Sequence, residues 1–257
     1  MDSSLNSQFY GTEDAKLGDY DRSVQYYFTK EYIHDGDSFL DVGGAGGGLA
    51  HAISSEVGAI KATVIDADPA TIDKGRASYP KVNFVEGYFP KDLPEGSKFD
   101  IISMQGLFPY FPNWKETLLS LQKHTRRYFN ISAVLRLDGT TVIDKDVSYV
   151  YYLNSGERAH QVVHNIYQFT NFLCLREMGV KRIEFYGYHT EKGGDNFRCV
   201  PNSQQIKGNF MIEVFGEDEE NPVRMGGAAE KTGDAGYSFF LPEMNIIIDG
   251  EKFDVRK

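Results

Sequence analysis

The stretch that decides the fold is Ser38-Phe39-Leu40-Asp41-Val42-Gly43-Gly44-Ala45-Gly46-Gly47-Gly48-Leu49-Ala50. It predicts a short apolar strand with an acid near its end, then a glycine-rich turn, then the start of a helix. Five of the six residues from Gly43 to Gly48 lack a β-carbon, so this backbone turns sharply and lets a ligand approach closely. A turn that opens a helix also presents free N–H groups. The stretch therefore indicates a cofactor site.

Strands and helices alternate along the chain. The predicted strands are Ser38–Val42, Ala62–Ile65, Val82–Val85, Phe99–Ser103, one within Tyr128–Leu137, Lys181–Tyr186 and Asn209–Phe215. The predicted helices are a lead-in helix over 21–33, Leu49–Val57, one that opens at Pro69, Trp114–His124 and His160–Met178. This alternation predicts an α/β protein with a Rossmann-like, doubly wound, mostly parallel seven-stranded sheet.

Two segments depart from the alternating pattern. Residues 138–178 form a long, aromatic connection, and a connection of this length in an α/β fold usually covers a site. Beyond Phe215 come an acidic run, a glycine-rich stretch and a hairpin signal, Asp249-Gly250, between Met244–Ile248 and Glu251–Val255. We expect a main domain over 1–215, with a cover segment over 138–178, and an appendage over 216–257 that ends in a β-hairpin.

Composition narrows the function classes. The 257 residues carry a formal net charge of −10, which argues against a nucleic-acid duplex as partner. The two cysteines, Cys174 and Cys199, suggest neither a disulfide framework nor a zinc cluster, and we predict no metal site. The N-terminus lacks a signal-peptide pattern, and no apolar run approaches the ~20 residues of a membrane span. We expect a cytoplasmic protein without membrane insertion.

The glycine spacing separates two kinds of cofactor. A nicotinamide fingerprint requires Gly-x-Gly-x-x-Gly at the start of the helix. Counting from Gly44 places Leu49 at the third glycine position, and counting from Gly46 places His51 there. A nicotinamide-dependent oxidoreductase is therefore disfavoured, although it stays an alternative, as does a non-catalytic cofactor-binding protein.

Several segments together resemble class I S-adenosylmethionine-dependent methyltransferases. Asp41-Val42-Gly43-Gly44-Ala45-Gly46-Gly47 is similar to their first motif, with Ala45 in place of the middle glycine. Val64-Ile65-Asp66-Ala67-Asp68 is similar to the second motif, and Gly87-Tyr88 stands where the third motif often has Gly-Asp. Phe99–Gln105 resembles the fourth strand. The resemblance covers roughly residues 21–215.

The resemblance implies S-adenosylmethionine as cofactor and gives its binding residues roles. Asp41 orients the glycine loop or contacts the methionine amino group, and the loop admits the methionine end and the ribose. Asp66 accepts from both ribose hydroxyls. Adenine is bordered by the third-motif residues, with Gln105 or backbone carbonyls replacing the missing acid and Phe89 packing on the adenine face. The cofactor-binding residues predicted in this way are Asp41, Gly43, Gly44, Ala45, Gly47, Asp66, Ala67, Gly87, Tyr88, Phe89 and Gln105.

Methyl transfer from a sulfonium depends on proximity and alignment, and a hydroxyl acceptor also needs a general base. His160 and His164 lie four residues apart in the predicted long helix, which places them on one face. We favour His164 as the base, with His160 and His189 as further candidates. The alternative at each position is a packed or surface histidine without a catalytic role.

The acceptor is expected to be a small molecule. The segment after the fourth strand lacks the Asn-Pro-Pro-Tyr type sequence of many nucleobase and protein amide methylases. Tyr110, Tyr149, Tyr152 and Arg158 are the predicted acceptor-binding residues, because tyrosines suit a sugar ring and arginine suits a phosphate or carboxylate. The chain loosely resembles methyltransferases of bacterial surface-polysaccharide pathways, which implies a sugar or a phosphorylated precursor.

Overall fold

The computed structural model describes residues 26, 29–30, 32–136, 139–152, 157–175, 178–180, 182–188, 196–199, 205–215, 236–240, 245–248 and 251–254. For residues 151–152, 182 and every described residue from 184 onward, the description is of the backbone alone. The chain forms two compact units. Unit 1 comprises the described residues up to Gln105 together with Ser120–Asn130, and unit 2 comprises Gly106–Leu119 and the described residues from Ile131 onward.

Unit 1 is built on a sheet of five strands. They are β1 (Ser38–Val42), β2 (Lys61–Asp66), β3 (Asn83–Glu86), β4 (Phe99–Met104) and the first half of β5 (Thr125–Arg136). Their order in the sheet is β3-β2-β1-β4-β5. β1 pairs with β2 and β4, and β2 pairs with β3, all in parallel. The strand order reverses between β1 and β4. In doubly wound sheets, ligands bind at such a switch point, beyond the carboxyl ends of the strands.

Three helices accompany these strands: α1 (Gly48–Glu56), α2 (Pro69–Ser78) and α3 (Trp114–His124), of which α3 also runs into unit 2. α1 packs on β1 and β2, and α2 packs on β2 and β3. Asp68 caps α2, because its carboxylate accepts from Ala70 N at 3.2 Å, and Pro69 holds the first helical position. Tyr26, Thr29 and Lys30 are helical, within the predicted lead-in helix.

Unit 2 contains the second half of β5, a 3₁₀ turn at Phe108–Tyr110 and the remaining elements. These are β6 (Tyr149–Tyr152), β7 (Arg158–His160), β8 (Val163–Asn165), α4 (Ile166–Leu173), β9 (Arg182–Tyr188), β10 (Asn196–Cys199), β11 (Gln205–Phe215), β12 (Gly236–Phe240), β13 (Asn245–Ile248) and β14 (Glu251–Asp254). β8 pairs in parallel with β5, and β9 lies between β11 and β12 in antiparallel pairing. β10, β6 and β7 form a separate antiparallel sheet, and β13 and β14 form the predicted hairpin.

The fold class is confirmed, with more strands than the seven expected, because β8 and β12 also pair. The helix predicted over 160–178 is wrong. Two short strands, β7 and β8, occupy its first part, and α4 begins only after Asn165, whose side chain accepts from Gln168 N at 3.0 Å. The division at 215/216 stays a prediction, although β12, beyond it, pairs with β9. The acidic run and most of the glycine-rich stretch lie outside the described residues.

Close packing ties α2 to the glycine-rich turn. Gly75 is buried in α2, and a β-carbon added to it would lie 2.6 Å from Phe84 Cζ and 2.8 Å from the Gly46 carbonyl oxygen. Real β-carbons do not approach backbone oxygens so closely, and the Gly46 oxygen belongs to backbone that cannot rotate away. The absence of a side chain at residue 75 therefore sets how near α2 approaches the turn.

Replacing Gly75 by alanine should destabilise the protein, although glycine-to-alanine substitutions in helices usually stabilise. Alanine in a helix normally stabilises relative to glycine by about 1 kcal/mol. Here we expect Gly75→Ala to destabilise by about 1–3 kcal/mol, because the added methyl group overpacks the contact with Phe84 and Gly46. Urea unfolding measures the change. Ser78→Ala, at an exposed position of the same helix, is the control and should stay within about 0.5 kcal/mol of wild type.

Candidate functional site

The glycine turn, residues 43–47, leaves β1 and enters α1 through left-handed backbone. Gly43, Ala45 and Gly47 have φ angles of 70°, 47° and 79°. Gly43 N donates to Ile65 O at 2.8 Å, and Gly47 N donates to Gly44 O at 2.9 Å. Ala45 is the one non-glycine residue with positive φ in the described part of the chain, and this conformation costs energy for a residue with a β-carbon.

Two glycines of the turn have no room for a side chain. A β-carbon at Gly44 would lie 2.6 Å from the carboxyl carbon of Asp41, and one at Gly47 would lie 2.7 Å from Phe84 Cζ. The Asp41 carboxyl group therefore lies directly against the turn. The sequence motif and the packing agree that these two positions require glycine.

The carboxylate of Asp66 holds this turn. Asp66 ends β2, is buried, and accepts from Ala45 N at 3.0 Å through Oδ2 and from Asp68 N at 2.9 Å through Oδ1. One side chain thus fixes both the strained residue of the turn and the start of α2. Each carboxylate oxygen has two lone pairs and can accept more than one hydrogen bond.

Asp41 is a second buried acid at the same edge of unit 1. Burial and, to a lesser extent, the negative charge of Asp66 raise the pKa of Asp41 to about 7. In register it lies opposite Ser103 on β4, whose buried hydroxyl has no hydrogen-bond partner in the described part of the chain. A cation bound near Asp41 would favour its ionised form.

The turn after β3 brings an acid, Asp92, against Gly87 and Tyr88, which stand where the third motif often has Gly-Asp. Gly87 N donates to Asp66 O at 2.8 Å, and Tyr88 N donates to Asp92 Oδ2 at 2.8 Å. A β-carbon at Gly87 would lie 2.5 Å from Asp92 Cβ. Tyr88 itself is 51% exposed. Phe89, expected to pack on adenine, makes an edge-to-face contact with the ring of His124, and its adenine contact stays a prediction.

Gln105 follows the carboxyl end of β4, next to β1. Its side-chain Nε2 donates to Asn130 Oδ1, and Asn130 Nδ2 donates to Thr29 Oγ1 at 3.2 Å. The Oε1 atom of Gln105 is buried and accepts no hydrogen bond in the described part of the chain. The amide is therefore fixed in orientation, with one acceptor left free for a ligand.

His164 lies on β8 and not on a helix. Its ring is fully buried in unit 2 among aromatic rings, stacked on Phe108 at 5.1 Å and edge-on to Trp114 and Phe169. Neither ring nitrogen has a hydrogen-bond partner in the described residues, and burial lowers the pKa of His164 to about 3. The helical-face argument that joined it to His160 is thus wrong, and its role as a base stays a prediction.

The remaining acceptor candidates in unit 2 lie on β6 and β7. His160 ends β7 opposite Tyr149 of β6, and its Nδ1 lies 2.9 Å from Ile143 O. The Arg158 guanidinium stacks over the Tyr149 ring at 4.2 Å. The backbone of Tyr152, the last residue of β6, pairs with Asn196 of β10.

Tyr110 ends the 3₁₀ turn and is half-buried. His189 lies outside the described residues.

Sequence reasoning missed two residues that shape the site. Asp92 contacts Gly87, and Asn130 accepts a hydrogen bond from Gln105. The sequence has no signal for either residue, because their partners are set by the turn after β3 and by strand pairing. The predicted start of α2 at Asp68-Pro69 is confirmed, with Asp68 as its cap.

The chain belongs to the methyltransferase domain family, whose model matches residues 13–177. It is an S-adenosylmethionine-dependent methyltransferase. Among curated proteins, none matches this sequence.

Solved structures share the fold at low identity. A Burkholderia thailandensis 1,6-didemethyltoxoflavin-N1-methyltransferase, with 1,6-didemethyltoxoflavin and S-adenosylhomocysteine bound, has 15% identity and a TM-score of 0.57, covering 84% of this chain and 87% of that chain. The Synechocystis magnesium protoporphyrin IX methyltransferase with bound S-adenosylhomocysteine has 10% identity and a TM-score of 0.54, covering 84% and 95%. A TehB-like methyltransferase from Corynebacterium glutamicum has 15% identity and a TM-score of 0.51, covering 84% and 98%.

None of the helices in the described residues has both the length and the apolar character needed to cross a membrane. Within the same residues, His, Cys, Asp and Glu side chains nowhere gather in groups of three or more that suit a metal ion.

His164 should make stability pH-dependent. Because its pKa is low in the folded protein, the unfolded chain binds the proton first, so stability is lost as pH falls below about 6.5. We expect His164→Leu to remove this loss. As pH falls from 6.5 to 5, the unfolding free energy of His164→Leu should therefore rise by about 2 kcal/mol relative to that of wild type, at about 1.4 kcal/mol per pH unit.

Urea unfolding at several pH values gives this difference directly. His160→Leu is the matched control, because His160 is only half-buried and its ring approaches a carbonyl oxygen. A constant difference between His164→Leu and wild type across the pH range would contradict the description of His164 as a buried neutral ring.

Proposed function

We propose that unit 1 binds S-adenosylmethionine at the carboxyl ends of β1, β2 and β4, and that the protein transfers its methyl group to a small-molecule acceptor. The observation that carries the proposal is the pairing of the glycine turn with Asp66, which holds Ala45 N at 3.0 Å. A tight turn at the switch point of a doubly wound sheet, with a carboxylate at the end of the next strand, suits a nucleoside with two vicinal hydroxyls.

Each side chain at this edge has a role in the proposal. The glycine turn lies along the methionine end of the cofactor, and Asp66, with Ala67 beside it, accepts from the ribose hydroxyls. Asp41 lies behind Gly44 and counters the positive charge of the methionine end. Gln105 Oε1, which is buried without a partner in the described residues, accepts from the cofactor.

Adenine lies along the segment after β3 in this proposal. Gly87, Tyr88 and Phe89 border it, as the resemblance to the third motif implies. Asp92 stands in for the acid that the motif lacks, because its carboxylate lies against Gly87 and is held by Tyr88 N at 2.8 Å. A carboxylate in this position accepts from the adenine amino group.

We propose a sugar or a phosphorylated precursor as the first acceptor class to test. Arg158 and Tyr149 support it, because their stacked, half-exposed side chains present a cation and an aromatic ring on one sheet face of unit 2. The exposed Asp146 carboxylate lies 3.8 Å from the Arg158 guanidinium, and an anionic acceptor would compete with it. A precursor of a bacterial surface polysaccharide has this chemistry. The net charge of −10 disfavours nucleic acid as the acceptor.

Removing the Asp66 carboxylate should weaken cofactor binding. We expect Asp66→Ala to weaken S-adenosylhomocysteine binding at least about tenfold, because each hydrogen bond to a charged group contributes about 1.5–3 kcal/mol. Isothermal titration calorimetry gives the affinity. Asp73→Ala, which removes an exposed acid of α2 that pairs with Arg76, is the matched control and should bind as wild type does.

The melting temperature of the wild-type protein distinguishes the rival cofactors. S-adenosylhomocysteine should raise the melting temperature of wild type, whereas NAD and NADP should not. Stabilisation by a nicotinamide nucleotide alone would refute the proposal. Unchanged affinity in Asp66→Ala, with wild type bound normally, would refute the ribose assignment.

Asp41 should couple cofactor binding to pH. Its pKa near 7 means that it is part-protonated in the free protein at neutral pH, and a cationic ligand favours the ionised form. Affinity for S-adenosylmethionine should therefore rise between about pH 6 and 8, with a proton released on binding. Titrations in two buffers of different ionisation enthalpy detect this proton.

In Asp41→Asn the proton release should disappear. The free variant should also lose the decrease in stability that ionisation of Asp41 causes as pH rises from about 4 to 7, since a raised folded-state pKa stabilises only the protonated form. An unchanged proton release in Asp41→Asn would assign it to another group.

A further inference from the structure

Unit 1 has a cleft that the proposed function does not use. Residues Pro90–Lys98, except Asp92, and Gln122–Thr125 line it, and its volume is about 630 Å³. This volume lies within the range of about 300–1,000 Å³ that is usual for small-molecule sites. The wall is preorganised by backbone turns, since Leu93 N donates to Pro90 O at 3.2 Å and Ser97 N donates to Pro94 O at 3.1 Å.

The cleft lies at the opposite edge of the sheet from the glycine turn. Lys98 directly precedes β4, whereas the turn follows β1, which runs parallel to β4. The six residues of β4 separate the two edges by about 20 Å, at about 3.3 Å per residue. The Lys98 end of the cleft is therefore separate from the glycine turn, although Pro90 and Lys91 at its other end directly follow Phe89.

The charge of the cleft opposes that of the whole protein. Its lining contains Lys91, Lys98 and Lys123 against one acid, Glu95, in a chain with a net charge of −10. Asp92, the other acid of this segment, is turned to Tyr88 N and does not line the cleft. Concave surfaces with one sign of charge concentrate the counter-ion.

The three lysines have no carboxylate partners in the described part of the chain, where the ion pairs join other residues. The contrast at the same sheet edge is clear, because Arg126 pairs with Asp100 and Arg127 pairs with Asp37. The arginines there are neutralised by the protein, whereas the lysines of the cleft are left for an external anion.

We propose that this cleft binds a small molecule that carries a phosphoryl group. Lysine ammonium groups bind phosphate as point charges, and three of them match a multiply charged anion better than a single carboxylate. Pro90, Leu93 and Pro94 supply an apolar wall for the rest of the ligand. The long-range repulsion from a strongly acidic protein disfavours a polyanion such as nucleic acid.

Inorganic pyrophosphate tests the site in the full chain, by isothermal titration calorimetry at low ionic strength. Lys91→Gln, Lys98→Gln and Lys123→Gln should each weaken binding about fivefold, the factor that matches one ionic contact at about 4 Å in water. Lys61→Gln and Lys81→Gln are matched controls, because these lysines are exposed and do not line the cleft, Lys61 as the first residue of β2 and Lys81 two residues before β3. Both controls should bind as wild type does.

Competition with S-adenosylhomocysteine distinguishes the two sites. Pyrophosphate should bind with the same affinity whether or not saturating S-adenosylhomocysteine is present, and the three lysine variants should keep their affinity for S-adenosylhomocysteine. Loss of pyrophosphate binding on addition of S-adenosylhomocysteine would overturn the proposal, as would equal weakening in the control variants. Binding of an acidic peptide such as poly-glutamate without binding of pyrophosphate would also overturn it.

Discussion

The carboxylate of Asp66 is the contact on which the proposed cofactor site depends. It accepts from Ala45 N in the glycine turn and from Asp68 N before α2. Ala45 adopts a left-handed conformation that costs energy, so the turn keeps its shape only while a partner holds it. Asp68 in turn caps α2, and Gly75 of α2 sets the distance of the helix from the Gly46 carbonyl. One buried acid thereby holds both the glycine turn and the start of α2.

Two buried titratable groups give the protein opposite responses to pH. Asp41 in unit 1 has a raised pKa, so its protonation stabilises the fold as pH falls from about 7, whereas His164 in unit 2 has a lowered pKa and destabilises the fold as pH falls below about 6.5. The two contributions offset each other in the wild-type protein, and only the single variants reveal them. Buried groups with displaced pKa values concentrate at functional sites, which agrees with the role proposed for Asp41.

The sequence predicted those parts of the molecule that local chemistry decides. The glycine turn, the acid at the end of β2 and the hairpin each depend on residues close together in the chain. The prediction of a long helix around His160 and His164 was wrong for two reasons. β8 pairs with β5, about thirty residues earlier in the chain, and the helix begins only after its cap, Asn165. The partners of Asn130 and His164 likewise come from distant segments, and no spacing in the sequence encodes them. Asp92 contacts Gly87 and Tyr88 in its own turn, but that turn is irregular and has no sequence signal.

The central claim is that Asp66 and the glycine turn together bind the nucleoside of S-adenosylmethionine. A crystal structure with S-adenosylhomocysteine bound tests it most directly. We expect the ribose hydroxyls within hydrogen-bonding distance of the Asp66 carboxylate, with the methionine end along residues 43–47 and Gln105 Oε1 hydrogen-bonded to the ligand. S-adenosylhomocysteine bound elsewhere, or with its ribose away from Asp66, would show that Asp66 and the glycine turn do not form the cofactor site.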